Sequence, residues 1–306
     1  MSQIKQSKTS IIRSNIALEV SKALVKNKDY TKSHKTISKG VCVDITEILT
    51  QSASNSYGLT KGTYVLVSMP FDTTLKSALQ DIISKEIKNG LELLLKKNKL
   101  EKPKSVLVIG LGNPKMLADS FGSQVIEKVF ASSSVVIPKS LSKKQFGIDC
   151  SVSKFSCNVF GQNGIESFDI IKGVVDITKP DLVILIDTLV AGSVKRLCRN
   201  IQLADVGIIP GSGVNNARKE LSEKTLKTKV ITIGMPLVVY ASDIVRQYIE
   251  KHTQNFSEKL TAIKDLVVMP REIETQLSLC SKILARAINL ALNPNFSEKE
   301  FEKYFS

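Results

Sequence analysis

The chain has 306 residues, 42% of them hydrophobic, and its 43 basic and 29 acidic residues give a formal net charge of +14. That length suits one large or two ordinary domains. The sequence has no apolar run of about 18 residues, as a membrane-spanning helix needs. Its polar N-terminus lacks a secretory signal, so we expect a cytoplasmic protein. The five cysteines include no Cys-x-x-Cys pair, which argues against a disulfide framework and a zinc ribbon.

The basic charge has two interpretations: attraction to a polyanionic partner, or a lysine-rich solvated surface. The sequence has no basic run interleaved with the aromatic residues on which bases stack, so direct nucleic-acid readout is not expected. His34 and His252 are the only histidines and do not form a paired-ligand motif. We therefore expect no metal or other cofactor, and we expect any hydrolytic chemistry to use carboxylates.

In chain order, strands alternate with helices. Patterns of apolar residues predict strands over 41–46, 63–70, 105–113, 181–187, 206–210 and 229–234. Helical spacing predicts helices over 14–25, 75–99, 120–130, the 170s, 239–252 and 270–292, with a further charged helical segment between the last two strands. This alternation predicts an α/β fold with a mixed, largely parallel central sheet flanked by helices. Residues 132–164, rich in Ser, Lys and Gly, predict an inserted irregular subdomain.

Two aspartates follow buried apolar runs. Asp119 comes shortly after Ser105-Val-Leu-Val-Ile-Gly-Leu-Gly-Asn113, and Asp187 ends Asp181-Leu-Val-Ile-Leu-Ile-Asp187. In open α/β sheets the ligand site lies outside the carboxyl ends of the strands, so both carboxylates are expected at one rim. Two carboxylates are the minimum for acid/base hydrolysis. The alternative is that Asp119 is a helix N-cap and Asp187 forms a turn.

Two glycine-containing loops are candidates for binding a ligand through their main-chain N–H groups. Gly110 and Gly112 follow a strand, but Lys115 stands where a dinucleotide fingerprint needs its third glycine, so the pair favours a tight turn. The loop from Pro210 to Arg218 carries two glycines that can present adjacent N–H groups to an anion or oxyanion. It is not a P-loop, because it lacks Gly-Lys-Ser/Thr, and a purely structural turn remains an equal alternative.

Several rare motifs occur in order along nearly the whole chain: Gly110-Leu-Gly-Asn113 with Asp119 and Gly122, Ile186-Asp-Thr-Leu189, Asn200-Ile-Gln202 running to Gly207-Ile-Ile-Pro-Gly-Ser-Gly-Val214, Ile233-Gly-Met-Pro-Leu-Val-Val239, Val268-Met-Pro-Arg-Glu-Ile273, and Asn289-Leu-Ala-Leu-Asn293. In these the chain resembles the germination protease family of spore-forming bacteria. The resemblance implies a fold like that of hydrogenase maturation proteases. It also implies an atypical aspartic endopeptidase that degrades small acid-soluble proteins coating spore DNA inside the spore.

Membership would place the family's two catalytic aspartates at Asp119 and Asp187. It would also imply a homotetrameric zymogen that loses a short N-terminal propeptide. The family's Arg-Thr-Asp-Leu-Ala pattern appears here as Arg13-Ser-Asn-Ile-Ala17, so residues 1–15 are the expected propeptide and the cut is expected near Asn15 and Ile16. Residues 16–306 would then form a single peptidase domain with the insertion around 132–164.

This chain departs from the family at five places. Ile209 stands where the family usually has His, and Asn215 where it has Gly. Gly192 replaces Arg, Tyr240 replaces Asp, and Asn15 replaces the acidic residue expected before the cut. The acidic pair itself is intact.

The expected mechanism has Asp119 and Asp187 share a proton and hold a water for attack on the peptide carbonyl. Two turns are candidates for oxyanion and substrate contacts: Gly110, Gly112 and Asn113, and Gly211, Ser212 and Gly213. Arg196 and Arg218 are candidates for attracting the acidic residue before the cut. The alternatives are a catalytically silent paralogue that only binds the substrate proteins, and a metal-dependent maturation protease.

Overall fold

A computed structural model describes residues 29–38, 40–57, 59–72, 74–135, 147–210, 219–249 and 263–295. The predicted helix over 14–25 and the predicted processing site at Asn15 and Ile16 lie outside these ranges. The strands within them are β1 Tyr30–Ser38, β2 Val41–Ile48, β3 Gly62–Ser68, β4 Ser105–Leu111, β5 Ser151–Cys157, β6 Leu182–Ala191, β7 Asn200–Ala204, β8 Lys229–Tyr240 and β9 Val267–Val268. The helices are α1 Gln51–Tyr57, α2 Ser77–Lys97, α3 Phe121–Lys128, α4 Phe160–Asn163, α5 Ser167–Thr178, α6 Glu223–Leu226, α7 Ala241–Ile249 and α8 Ile273–Leu292.

All nine strands belong to one sheet, in the order β1-β2-β3-β7-β8-β6-β4-β5, with β9 also pairing with β8. The neighbours β8, β6, β4 and β5 run parallel. The remaining pairings are antiparallel. The predicted α/β fold with a mixed sheet and flanking helices is therefore confirmed. The sheet is not largely parallel as predicted, because five of the eight strand pairings among the described residues are antiparallel. Its parallel part is the block of four strands around β6 and β4. No helix among the described residues is both long and apolar enough to cross a membrane.

The apolar sequence of β6 follows from burial on both faces of the sheet. Leu182, Ile184 and Ile186 pack into a cluster that includes side chains of α2, α3 and α8. Val183 and Leu185 alternate with them and pack against the α5 side. Burying each such side chain contributes about 1.5–3 kcal/mol, which makes a central strand the stable position for this segment.

One predicted strand is wrong. Residues 206–210 do not form a strand; only Ile208 makes an isolated bridge, to Leu221. The strand in this region is β7, which is buried along its whole length although it contains Asn200 and Gln202. The Asn200 side-chain NH₂ donates to the Ser68 hydroxyl at 2.7 Å, whereas its buried side-chain oxygen has no hydrogen-bond partner among the described residues. The apolar pattern of the sequence did not predict β7 because this strand contains buried polar residues.

Part of the predicted insertion belongs to the sheet. Within residues 132–164, β5 pairs in parallel with β4 along seven residues and forms the sheet edge. The Ser132 hydroxyl fastens this strand, since it donates to the Cys150 carbonyl at 2.6 Å and accepts from the Val152 N–H at 2.8 Å. Residues 136–146 lie outside the described residues.

The asparagines near the C-terminus have structural roles. The Asn289 side-chain oxygen accepts the Phe130 N–H at 2.8 Å, just beyond α3. The Asn293 side-chain oxygen accepts the N–H groups of Asp149 and Cys150, both at 2.9 Å, just before β5. Asn289 of α8 and Asn293, the residue that follows the helix, therefore fix the chain just after α3 and just before β5.

Candidate active site

Asp187 lies within β6, which continues to Ala191 and is longer than predicted. Its partner in register on β8 is Gly234. On the other side, the pairing of β6 with β4 ends at Gly110 and Ile186, one residue earlier. Asp187 is therefore the first residue of β6 beyond the pairing with β4, at the carboxyl end of the parallel block, where α/β sheets hold their ligands.

Asp119 ends a short 3₁₀ helix, Leu117–Asp119, that contacts both β6 and β8. Its Oδ2 atom accepts the main-chain N–H of Asn113 at 2.8 Å. The interpretation of Asp119 as the N-cap of the next helix is wrong, because the cap residue of α3 is Ser120 and it makes no side-chain capping bond. The Asp119 carboxylate is instead held by this hydrogen bond within the loop that follows β4.

The glycines of this loop permit a close approach that a side chain would prevent. Gly112 has φ +103°, and a Cβ there would lie 2.1 Å from the Asp119 carbonyl oxygen and 2.9 Å from its Oδ1. A Cβ on Gly122 would lie 2.4 Å from the carbonyl oxygen of Ile186, the residue before Asp187. The two glycines therefore let the Asp119 loop and the start of α3 pack directly against the Asp187 strand.

The electrostatics of Asp187 reflect burial and a neighbouring charge. The residue is 8% exposed. Burial, followed by the negative charge of Asp119, raises the pKa of Asp187 to about 7. The Thr188 N–H opposes this shift, since it donates to Asp187 Oδ1 at 2.8 Å. The structure thus brings the two predicted aspartates together, and at neutral pH the pair is able to retain a proton.

A cavity of about 220 Å³ lies beside β6 and β8, next to the position of Asp187. It is flanked by Leu189, two residues after Asp187, and by Gly234, which pairs with Asp187 in register. Its other lining residues come from β3, β7, β8 and the segment that bridges Ile208 to Leu221; they include Tyr64, Gln202, Ala204, Ile209, Glu220 and Thr232. Sequence patterns missed this cavity because its walls meet only through the pairing of distant strands.

The remaining predicted residues lie in different places. Arg196 lies on the 3₁₀ helix Val194–Arg196, where its positive charge acts on Cys42 of β2. Gly192 accepts a hydrogen bond from the Gln247 side chain, and Tyr240 is buried at the end of β8. The predicted residues of the 211–218 loop lie outside the described residues; they are Gly211, Ser212, Gly213, Asn215 and Arg218.

The Asn113 side chain joins two loops at the site. Its Oδ1 accepts hydrogen bonds from the Lys115 N–H at 3.0 Å and from the side-chain amide of Gln162 in α4. Among the described residues, no group of three or more His, Cys, Asp or Glu side chains is placed to hold a metal ion.

The sequence comparisons agree on one family. The model of the germination protease family matches residues 14–262. A germination protease of Caldanaerobacter subterraneus subsp. tengcongensis is 32% identical, over 95% of this chain and 97% of that protein. One from Clostridium acetobutylicum is 36% identical over 80% and 82%, and one from Clostridium perfringens 30% over 89% and 90%. The [NiFe] hydrogenase maturation protease HycI from Thermococcus kodakarensis KOD1 aligns at a TM-score of 0.37 with 18% identity, covering 65% of this chain and 98% of that one; this likeness is too low to bear on the site.

Proposed function

Because the chain belongs to the germination protease family, we propose that it is an endopeptidase of the spore interior that hydrolyses small acid-soluble spore proteins, with Asp119 and Asp187 activating the water. One observation carries the proposal. Asp187 is a buried carboxyl whose pKa burial and the charge of Asp119 raise to about 7. A carboxyl pair that retains one proton at neutral pH has both the base and the acid that peptide hydrolysis requires.

The environments of the two carboxyls support a division of roles between them. Asp187 is the more buried, and its raised pKa suits the proton donor. Asp119, oriented by the Asn113 N–H, suits the base. Asp119 takes a proton from the water as the water oxygen bonds to the peptide carbonyl carbon. Asp187 gives its proton to the amide nitrogen as the C–N bond breaks, and a proton passed from Asp119 to Asp187 restores the pair.

The hydrogen bond from Asn113 changes the role proposed for that residue. Its N–H donates to Asp119 in this structure, so Asn113 positions the base. Support for the oxyanion is left to the other candidate donors, Gly110, Gly112 and the segment Gly211, Ser212 and Gly213. In this proposal the turn from Gly110 to Asn113 both orients the general base and lies beside the attacked carbonyl group.

The chain is further proposed to be made as a zymogen that assembles as a homotetramer. Removal of residues 1–15 by a cut between Asn15 and Ile16 would give the mature enzyme; the family match begins at residue 14, beside that bond. Arg196 and Arg218 are proposed to attract the acidic residue that precedes a substrate cut.

Incubating the purified chain with a small acid-soluble spore protein near neutral pH tests the activity. We expect discrete fragments from the wild type and none from Asp119→Asn or Asp187→Asn, with the circular dichroism spectra unchanged. Full activity of either variant would refute the assignment. Binding without fragments would indicate the silent paralogue, and loss of activity in chelator alone would indicate a metal-dependent protease.

Two further measurements test the finer proposals. Mass spectrometry of the N-terminus, before and after incubation, shows whether Ile16 becomes the first residue. Light scattering coupled to size exclusion reports the assembly, with a mass four times that of the chain expected. If the chain is active while still full-length, the zymogen proposal is wrong. If it elutes as a monomer, the tetramer proposal is wrong.

A further inference from the structure

The end of the sheet opposite the candidate active site carries a surface of lysine side chains. The surface is formed at residues 98–104, 179–181 and 227–229, where the chain leaves a helix and enters the neighbouring parallel strands β4, β6 and β8. These three segments contain six lysines and two acidic residues, Glu101 and Asp181. None of the lysines takes part in the proposed hydrolysis.

Hydrogen bonds hold the three segments side by side. The Asp181 carboxylate accepts the main-chain N–H groups of Lys104 and Ser105, at 2.8 and 3.0 Å. The Thr228 hydroxyl donates to the Pro180 carbonyl at 2.7 Å. Neighbouring strands lie about 4.8 Å apart, so the amino ends of the three strands fall within roughly 10 Å. Their lysines therefore share one surface.

Three of these lysines have a main-chain conformation that usually belongs to glycine. Lys179 and Lys227 end α5 and α6 with φ of +45° and +61°, and Lys99 follows α2 with φ of +59°. At the end of α4 the same conformation is adopted by Gly164. A residue with a Cβ is less stable than glycine in this left-handed region. Main-chain conformation therefore does not explain these three residues, which we call the left-handed lysines.

The helix dipole is the alternative explanation for a cation at a helix C-terminus. It acts equally on a side chain in the last turn, where no left-handed conformation is needed. The helix α2 already has Lys96 and Lys97 in that turn. The dipole therefore does not require a lysine at the left-handed positions.

Most of the ammonium groups on this surface are available to a ligand. Five of the six are exposed and form no ion pair with any described residue; they belong to Lys99, Lys102, Lys104, Lys179 and Lys227. The sixth, Lys229, pairs with Glu223 at 2.7 Å. The surface thus presents several unpaired positive charges close together, on a chain whose net charge is already +14.

The chemistry of this surface fits a dense row of phosphates. Lysine binds phosphate as a point charge. Duplex DNA carries one negative charge per about 1.7 Å of its axis, so a surface roughly 10 Å wide meets several phosphates at once. An extended acidic polypeptide carries at most one charge per about 3.3 Å. The three segments contain no aromatic residue on which an unpaired base would stack, which favours duplex over single-stranded DNA.

We propose that this lysine surface binds the phosphate backbone of duplex DNA without reading its sequence. The surface is separate from the candidate active site, because Asp187 lies five residues along β6 from Leu182, about 17 Å away. A molecule held on DNA in this way keeps its opposite edge open to a polypeptide. DNA binding here does not depend on the proposed peptidase function.

Fluorescence anisotropy tests the proposal, with the purified full chain titrated into a labelled mixed-sequence duplex of about 20 base pairs at several KCl concentrations. The logarithm of the binding constant should fall linearly with the logarithm of the salt concentration, with a slope of about −4 to −5 for five lysines. Replacing the three left-handed lysines together, by Lys99→Gln, Lys179→Gln and Lys227→Gln, should make that slope less negative by about 3. At about 0.1 M salt the affinity should fall at least about 100-fold.

The matched control removes three exposed lysines from β1 and α2, by Lys32→Gln, Lys35→Gln and Lys85→Gln. The loss of net charge is the same, and the affinity should fall less than about fivefold, since these residues lie outside the lysine surface. Cleavage of a small acid-soluble spore protein should proceed at the wild-type rate in both triple variants.

Glycine at the left-handed positions separates DNA binding from a role at the helix ends. Lys99→Gly, Lys179→Gly and Lys227→Gly together remove the unfavourable conformation, so the melting temperature should rise by about 3 °C or more. The affinity for DNA should fall as it does in the glutamine variant. A lower melting temperature with unchanged DNA affinity would show that the lysines serve only the helix ends, and would overturn the proposal.

Three results of the titrations would also overturn it: no binding by the wild type at about 50 mM salt, binding that does not depend on salt, or equal losses in the two glutamine variants. Tighter binding of single-stranded DNA would contradict the choice of duplex. Stronger competition by polyglutamate than by unlabelled duplex, at equal charge concentration, would point to an acidic protein instead. Each of these results leaves the peptidase proposal standing, and an inactive peptidase that binds DNA leaves this one standing.

Discussion

The charge of Asp119 acts on the carboxyl of Asp187 because the loop after β4 packs onto β6 at the residue where the two strands stop pairing. Gly112 and Gly122 make this approach possible. The burial of Asp187 within a strand keeps its carboxyl out of water. The two residues are therefore coupled because β6 continues past the point where its pairing with β4 ends.

The buried carboxyl should make the free energy of unfolding depend on pH. The pKa of Asp187 is raised from 3.8 to about 7 in the folded state, so between these values the folded protein holds a proton that the unfolded chain has lost. Stability from this group is fully present below pH 3.8 and is lost as the pH rises through 7, by on the order of 4 kcal/mol.

Asp187→Asn should remove that dependence, since the amide oxygen still accepts the Thr188 N–H and carries no charge. Urea denaturation at pH 8 is expected to show the variant more stable than the wild type, with the difference shrinking toward pH 4. A variant less stable than the wild type at pH 8 would show that the ionised carboxyl has a stabilising partner.

The activity should decline in alkali. If Asp187 donates the proton, kcat/KM should fall tenfold per pH unit above about pH 7, where the pair loses its shared proton. Initial rates of peptide cleavage between pH 5 and 9 give the profile. A rate that stays constant up to pH 9 would show that the donor is some other group.

Gly112→Ala should reduce the activity because it forces the main chain around Asp119 to move. The new methyl would clash with Asp119 and occupy a φ of +103°, at a cost of about 1–3 kcal/mol of unfolding free energy. Because Asp119 must move, kcat/KM should drop about 100-fold or more. The matched control is Gly161→Ala, since a Cβ there meets no atom within 4 Å; both variants are compared by peptide cleavage and thermal melting. Equal activities would mean that the Asp119 position is not critical.

Asn293→Ala should affect stability rather than chemistry. It leaves the N–H groups of Asp149 and Cys150 without their acceptor, at about 2–4 kcal/mol of unfolding free energy. Asn295→Ala, two residues on at an exposed position that bonds the Asp149 side chain, should cost less than about 1 kcal/mol. Urea denaturation of both measures the difference, and kcat/KM at low temperature should match the wild type in each.

Part of this fold could be predicted from local pattern. The strands β4 and β6 and the helix α2 carry apolar residues at a spacing that only burial explains. By contrast, β1 is a polar edge strand, largely exposed, and its side chains show no hydrophobic alternation. The buried residues of β7 include Asn200, whose side-chain NH₂ bonds Ser68 on another strand, so neither strand could be identified from its own sequence.

The aspartates could be predicted as neighbours because strand ends meet at one rim, but their surroundings could not. The bond from Asn113 to Asp119 depends on the left-handed turn at Gly112. The cavity depends on the register that sets Asp187 opposite Gly234 and brings Gln202 and Ala204 alongside. Such register is decided by pairing between segments far apart in sequence.

A double-mutant cycle tests most directly whether Asp119 and Asp187 act as one catalytic unit. The measurement is kcat for cleavage of a small acid-soluble spore protein by the wild type, Asp119→Asn, Asp187→Asn and the double variant. We expect each single variant to lose at least about 1,000-fold, and the double variant to be no slower than the worse single one, because residues that act together are not additive. Losses that multiply in the double variant, or a single variant with wild-type kcat, would contradict the account.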